Sequence, residues 1–205
     1  MTPSTPGTHQ IAVEEIEYLR HGDKPLLARV FKPQGGGPFP LMVSLHGGAW
    51  CRESRMTDEP IHEALAKSGV VVASLDFRMP PDASYPGSMI DINYAIRWLK
   101  SRAASLNARA DAVGVMGTSS GGHQAMLTAM RPRDTRYASQ PLAGAADASV
   151  RCAILLWPVL GTMRMRLGAR RIPCRRCCAA TTTSWSCSTS RRTSSACRGW
   201  SASWS

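Results

Sequence analysis

The sequence predicts an α/β protein with a mostly parallel sheet flanked by helices. Short apolar runs bounded by Gly and Pro alternate with helical periodicity along residues 11–160, which is the pattern of β-α-β units. The chain of 205 residues is long enough for one domain with a hydrophobic core. Residues 1–10 are polar and rich in Thr and Pro, so we expect a disordered start there.

Six apolar runs are predicted as strands. They cover residues 11–18, 26–31, 41–45, 70–75, 112–116 and 152–157. The first two are joined by the turn-like sequence His21-Gly22-Asp23, and the third follows a Gly/Pro loop. The later runs are short, continuous and bounded by breakers, as expected for buried strands.

Three helices are predicted between these strands. Thr57 is expected to cap a helix over residues 58–68, with Gly69 at its end. Met89, Ile92, Ile96 and Leu99 are spaced by three and four residues, which is the apolar stripe of an amphipathic helix. The third helix covers residues 121–130.

The motif that carries chemistry is Gly117-Thr118-Ser119-Ser120-Gly121, which fits G-x-S-x-G. It follows a predicted strand and opens a predicted helix, the context that a nucleophile elbow requires. A sharp strand-to-helix turn strains the serine backbone, and glycines on either side allow close approach of neighbouring backbone. The alternative interpretation is an ordinary Gly/Ser turn.

A second motif, His46-Gly47-Gly48-Ala49-Trp50, directly follows the predicted strand 41–45. It resembles the HGG-type oxyanion-hole loop of esterases and lipases, in which backbone N–H groups point at the carbonyl oxygen of the substrate. We expect the loop to act through its backbone, so the side chain of His46 is predicted to be structural.

Further residues resemble the hormone-sensitive-lipase-like esterases of the α/β-hydrolase superfamily. Their D-[YF]-R-x-x-P…[FY]-P…W-L stretch is matched by the sequence from Asp76-Phe77-Arg78 through Pro80-Pro81 and Tyr85-Pro86 to Trp98-Leu99. The HGGxW form is closer to the carboxylesterase and arylformamidase branch. The resemblance covers about residues 25 to 160 and implies an α/β-hydrolase domain that breaks off after about the sixth strand.

The resemblance also implies roles for individual residues. Ser119 would be the nucleophile, and Gly47, Gly48, Ala49 and Ser120 would form the oxyanion hole. The implied substrate is a small carboxylic ester or an aryl formamide, hydrolysed through an acyl-enzyme without a cofactor. Asp76, Arg78 and His123 are expected to brace the structure rather than react.

The acid and the base of a catalytic triad are not recognisable in the sequence. The family order is Ser, then Asp or Glu, then His, whereas Asp134 and Asp147 are the only acids after Ser119 and both follow the last histidine, His123. A serine hydroxyl is a weak nucleophile without a base. The sequence therefore predicts little or no turnover, and it leaves open a non-catalytic protein that uses the hydrolase cleft for binding.

Residues 161–205 have a different composition from the rest of the chain. They hold nine Arg and no acid, so about +9 of the net charge of +11 lies there. The bias towards Arg, Ser, Cys and Trp is typical of out-of-frame translation of a GC-rich gene, and disorder is the other expectation. Cys174 and Cys177 have the C-x-x-C spacing of a zinc site, but no second well-spaced pair follows among Cys178, Cys187 and Cys197, so no metal is expected.

The composition also sets expectations about partners and location. A short basic low-complexity segment is a weak indication of nucleic-acid binding, so no specific nucleic acid is expected. We see no signal peptide and no apolar run of the roughly 20 residues that a spanning helix needs. A cytoplasmic protein without a membrane partner is therefore predicted, and the sequence does not specify its oligomeric state.

Overall fold

The computed structural model describes residues 8–144 and 146–160, and within them strands alternate with helices. The strands are β1 (Ile11–His21), β2 (Lys24–Pro33), β3 (Phe39–Leu45), β4 (Val71–Leu75), β5 (Ala108–Thr118) and β6 (Cys152–Leu156). The helices are α1 (Glu59–Lys67), α2 (Gly87–Ser101) and α3 (Ser120–Met130). All six predicted strands and three predicted helices are therefore present.

The described strands form one sheet in the order β1-β2-β4-β3-β5-β6. β1 and β2 are an antiparallel hairpin in which His21 pairs with Lys24 across the predicted turn, and β2 runs antiparallel to β4. The pairs β3–β4, β3–β5 and β5–β6 are parallel. The predicted mostly parallel sheet is confirmed for the part of the chain that carries the two motifs.

Two faces of this sheet are buried by different helices. On one face, β-strand side chains such as Val43 and Val115 pack with Ile92 and Ile96 of α2 and with Ala125 of α3. On the other face, a smaller cluster is built from Phe31, Met42, Ala66, Val72 and Met116. Burying both faces explains why β3 and β4 read as continuous apolar runs rather than as alternating ones.

The structure corrects the predicted boundaries in three places. Helix α1 begins after Asp58, not after Thr57, and Asp58 has the left-handed φ of 64° without a side-chain cap hydrogen bond. A short 3₁₀ helix, Ala103–Leu106, precedes β5 and was not predicted. β5 also begins four residues before the predicted start, because Ala108 pairs with Phe39 across a β-bulge.

The carboxyl ends of β3, β4 and β5 lie side by side because these strands are parallel and adjacent. His46, Asp76 and Ser119 follow those three strands, so the sequence motifs meet at one edge of the sheet. Ligands bind outside the carboxyl ends of strands in open α/β sheets. This edge of the sheet is therefore the candidate site.

Some predictions fall on residues that the structure does not describe. These are the disordered start, for residues 1–7, and both interpretations of residues 161–205, including the cysteine cluster. Among the described helices, none combines the length and the apolar character needed to cross a bilayer.

Candidate active site

Ser119 occupies a strained turn between β5 and α3. Its φ of 55° and ψ of −115° lie outside the regions that non-glycine residues favour. Hydrogen bonds hold the turn on both sides: Ser119 N donates to Leu156 O at 2.8 Å, and Ser119 O accepts from His123 N at 3.2 Å and from Val159 N at 3.3 Å. Strain of this kind persists only where the surrounding structure fixes the backbone.

The two glycines of G-x-S-x-G are required by close backbone contacts. A Cβ at Gly117 would overlap the backbone of Gly121, and a Cβ at Gly121 would overlap the carbonyl oxygens of Leu45 and His46. Any larger residue at either position would push α3 away from the sheet. The glycines therefore allow the helix to start directly against the end of β3, as the sequence predicted for an elbow.

The loop after β3 packs on this elbow. A Cβ at Gly47 would lie 3.1 Å from Thr118 O and 3.4 Å from Ser119 Cβ, so the loop backbone passes the serine with space for little more than a methyl group between them. Gly48 has a φ of 93°, and a Cβ there would overlap Arg52 O. The predicted meeting of the two motifs is therefore present in the fold.

Several backbone N–H groups at this junction lack a backbone acceptor. Within the described residues, the amides of Gly48, Ala49 and Ser120 donate to no backbone carbonyl. Ser120 is the first residue of α3, and the first N–H groups of a helix have no partner within it. Converging donors of this kind can bind a developing negative charge.

His46 lies beneath the loop, and its side chain is only 2% exposed. Its ring stacks on Phe77 with a centroid separation of 4.3 Å, and Nδ1 lies 2.9 Å from Gly47 O. Burial lowers the pKa of His46, which favours the neutral ring. The geometry fits the structural role predicted for this side chain.

Hydrogen bonds to two carboxylates attach the loop that continues from Trp50 to distant parts of the fold. Asp76 accepts hydrogen bonds from the Arg55 backbone N at 2.9 Å and from Arg55 Nη1 at 2.6 Å. Asp58 accepts from Thr118 Oγ1 at 2.8 Å, which explains why its side chain does not cap α1. Asp76 thus contacts a loop as predicted for a bracing residue, whereas the roles of Arg55 and Asp58 were not predicted.

Arg78 braces the next loop through a buried carboxylate. Asp91 is fully buried in α2 and accepts from the Arg78 backbone N and Nε, both at 2.9 Å, and from Nη2 at 2.8 Å. His21 Nε2 lies 2.9 Å from Oδ1 of the same carboxylate, the oxygen that also accepts from Arg78 Nη2. The signal for Asp91 was available, because an acid stands inside the apolar stripe of α2 between Met89 and Ile92.

No described residue stands in the position of the catalytic base. Within residues 8–144 and 146–160, no histidine or carboxylate forms a hydrogen bond with Ser119 Oγ. His123 packs edge-on against Trp50 at 5.6 Å, and burial lowers its pKa. The two acids after the serine are bound elsewhere: hydrogen bonds from Arg136 hold the pKa of Asp134 at about 2, and those from Ser149 hold that of Asp147 at about 2.

A metal centre is not indicated in the described part of the chain. No group of three or more His, Cys, Asp or Glu side chains there is arranged to hold an ion. The chemistry available at this edge of the sheet is therefore that of a serine hydroxyl beside backbone N–H donors.

Comparison with known proteins finds esterases. The BD-FAE family model matches residues 29–155. The probable carboxylic ester hydrolase LipM of Mycobacterium tuberculosis is 29% identical over 131 residues, which cover 63% of this chain and 30% of that protein. An arylesterase of Saccharolobus solfataricus is 30% identical over 115 residues, covering 56% of this chain and 38% of the relative.

Solved structures give the same result. A hyperthermophilic esterase from Pyrobaculum calidifontis superimposes with a TM-score of 0.61 at 30% identity, over 73% of this chain and 45% of the esterase. The described architecture is accordingly that of the α/β-hydrolase fold. The chain spans about a third of the length of the two curated relatives.

Proposed function

Because the chain belongs to the BD-FAE family, within the hormone-sensitive-lipase-like carboxylesterase branch of the α/β-hydrolases, we propose that it is built for carboxylic-ester hydrolysis at Ser119. The serine hydroxyl attacks the ester carbonyl, the alcohol leaves, and water releases the acid from the acyl-enzyme. The substrate is a small-molecule ester, and an aryl formamide would react through the same steps.

The observation that carries this proposal is the contact between Ser119 and the glycine loop. The strained turn lifts the serine out of the sheet, and Gly47 lies against its Cβ. A carbonyl attacked by Ser119 Oγ develops negative charge on its oxygen within reach of the loop. In this proposal the N–H groups of Gly48, Ala49 and Ser120 stabilise that charge, as donors fixed before the reaction begins.

The lack of a base limits the rate in the proposed mechanism. Removing the base from a serine triad lowers kcat roughly a millionfold, and the oxyanion hole and binding leave a residual acceleration on the order of a thousandfold over water. The chain contains no histidine after His123. We therefore expect hydrolysis no faster than that residual level, and only the part of it that passes through an acyl-enzyme depends on the Ser119 hydroxyl.

The test uses an activated ester, because a p-nitrophenyl leaving group departs without a proton. Hydrolysis of p-nitrophenyl acetate is measured for the full chain and for Ser119→Ala, and a fluorophosphonate probe is used to label the serine for mass spectrometry. We expect a slow rate whose acyl-enzyme part is lost in Ser119→Ala, and a probe adduct on the Ser119 peptide that the variant does not form. Equal rates in the two proteins together with no adduct on the wild-type chain would contradict the assignment of the nucleophile.

Two other outcomes of these measurements would change the proposed mechanism or function. A rate far above the residual level that still requires Ser119 would mean that a base acts from outside the described residues or from an unassigned group. A chain that melts cooperatively but shows neither Ser119-dependent rate nor adduct would favour the non-catalytic alternative, since the absence of a base at Ser119 is compatible with a binding protein.

A further inference from the structure

One hydrogen bond joins the glycine loop to the nucleophile elbow through side-chain chemistry. The backbone N of Trp50 donates to Ser120 Oγ at 3.3 Å. The two residues are 70 positions apart, and Ser120 is 1% exposed. The acceptor oxygen therefore belongs to a side chain that is shielded from water.

The loop at this point needs an external restraint. Ala49 and Trp50 are consecutive non-glycine residues with left-handed φ values of 53° and 60°. Such backbone is disfavoured for side chains with a Cβ, so two in succession will relax unless other contacts fix them. Cys51 N and Arg52 N both return to Gly48 O, which closes the turn on itself but does not attach it to the elbow.

We propose that Ser120 is a positioning residue whose hydroxyl holds the glycine loop in register with Ser119. Its backbone N–H belongs to the oxyanion hole of the proposed function, and its Oγ separately fixes the turn that presents Gly48 and Ala49. This inference rests on the proposed function for its catalytic consequence, but the attachment of the loop can be measured without any activity.

The variant Ser120→Ala separates the two contributions of the residue. It removes the acceptor and keeps the backbone N–H. Ser120→Thr retains a hydroxyl and is the rescue variant. Ser74→Ala is the matched control, because Ser74 is equally buried, lies in β4, and its Oγ has no hydrogen-bond partner among the described residues.

The first measurement is amide hydrogen exchange of Trp50, followed by NMR on the folded chain. A buried hydrogen bond of ordinary strength corresponds to about tenfold protection. We expect exchange at Trp50 to be about tenfold faster in Ser120→Ala, restored in Ser120→Thr, and unchanged in Ser74→Ala. Unchanged exchange in Ser120→Ala would overturn the inference.

The second measurement is the Ser119-dependent hydrolysis of p-nitrophenyl acetate. Misplaced oxyanion donors reduce transition-state stabilisation without altering ground-state binding, so kcat should decrease about tenfold while KM stays within about twofold. An unaltered kcat with faster exchange would overturn the catalytic role. If the wild-type chain shows neither a Ser119-dependent rate nor a probe adduct on Ser119, the proposed function fails, and the exchange result still decides whether Ser120 holds the loop.

Discussion

The nucleophile elbow and the glycine loop lie against each other but are held in place by different means. The elbow is fixed by backbone packing, because Gly117 and Gly121 bring main-chain atoms together where no side chain fits. The loop is fixed by side chains from remote strands and helices, namely Asp76 on Arg55 and Ser120 on Trp50. Backbone packing is intolerant of substitution, whereas side-chain restraints can be removed one at a time.

The largest expected effect is at the elbow. Gly121→Ala places a Cβ against the carbonyl oxygens of Leu45 and His46, and overpacking of this kind should lower the free energy of unfolding by about 3 kcal/mol. Urea unfolding measures the change. Gly36→Ala is the control, since no atom lies within 4 Å of its added Cβ, and a comparable loss there would show that the elbow is not special.

Substitutions that release the glycine loop should lower the free energy of unfolding by less, and their effect should be confined to the loop. Asp76→Ala removes two hydrogen bonds from Arg55, one of them charged on both sides, and should lower the free energy of unfolding by about 2 kcal/mol. Amide exchange should increase in residues 47–55 and remain unchanged in α3. Asp111→Ala, which breaks the exposed pair with Arg109, should leave stability at the wild-type value. Faster exchange throughout α3 would mean that the two regions are not held independently.

Strain at the elbow predicts a stabilising substitution. Ser119→Gly relaxes a backbone that disfavours side chains, so the free energy of unfolding should increase by about 1 kcal/mol, with loss of all Ser119-dependent hydrolysis. Ser119→Ala keeps the Cβ and the strain, and its stability should stay within about 0.5 kcal/mol of the wild type. Thermal unfolding compares the two, and equal stabilities would place the strain elsewhere.

The smallest expected effect is a pH dependence that distinguishes the loop from the core. Burial lowers the pKa of His46, beneath the glycine loop, and of His62, on the buried side of α1, from their ordinary value of 6.5. The folded chain therefore binds fewer protons than the unfolded chain just below that pH. Their contribution to stability is complete above pH 6.5 and is lost as the pH falls through the range down to the lowered pKa values.

The free energy of unfolding should thus decrease between about pH 7.5 and about pH 5.5. His62→Gln, in the core, should make the free energy of unfolding depend less steeply on pH. His46→Gln, beneath the glycine loop, should have the same effect. A slope that is identical in the wild type and both variants would show that neither buried histidine determines the acid sensitivity.

Features that depend on neighbouring residues could be predicted from the sequence. The elbow was found because Gly117 and Gly121 must flank the serine for steric reasons, and the parallel strands were found because apolar runs alternate with helical stripes. The predicted Thr57 cap was wrong because the Thr57 hydroxyl donates to Glu53 and α1 begins one residue later, after Asp58. The Asp58 carboxylate in turn accepts from Thr118, 60 positions away. Pairings at that separation leave no local pattern.

The candidate site was predictable to the same extent. Ser119 and the glycine loop carry motifs, but the attachment of Trp50 to Ser120 and of Arg55 to Asp76 joins residues that no spacing rule connects. The buried Asp91 shows the intermediate case, since an acid within an apolar stripe signals a partner without identifying it. Arg78 and His21 could be named only from the structure.

The close seating of Gly121 on Leu45 and His46 has a consequence for how such a site diversifies. The position of the Ser119 turn relative to the end of β3 is set there by main-chain atoms, so it does not depend on the side chains that line the approach to the serine. Those side chains can therefore be exchanged without moving Ser119 or the backbone N–H of Ser120 relative to the sheet. The surroundings of the serine can diversify while the turn that presents it keeps its place.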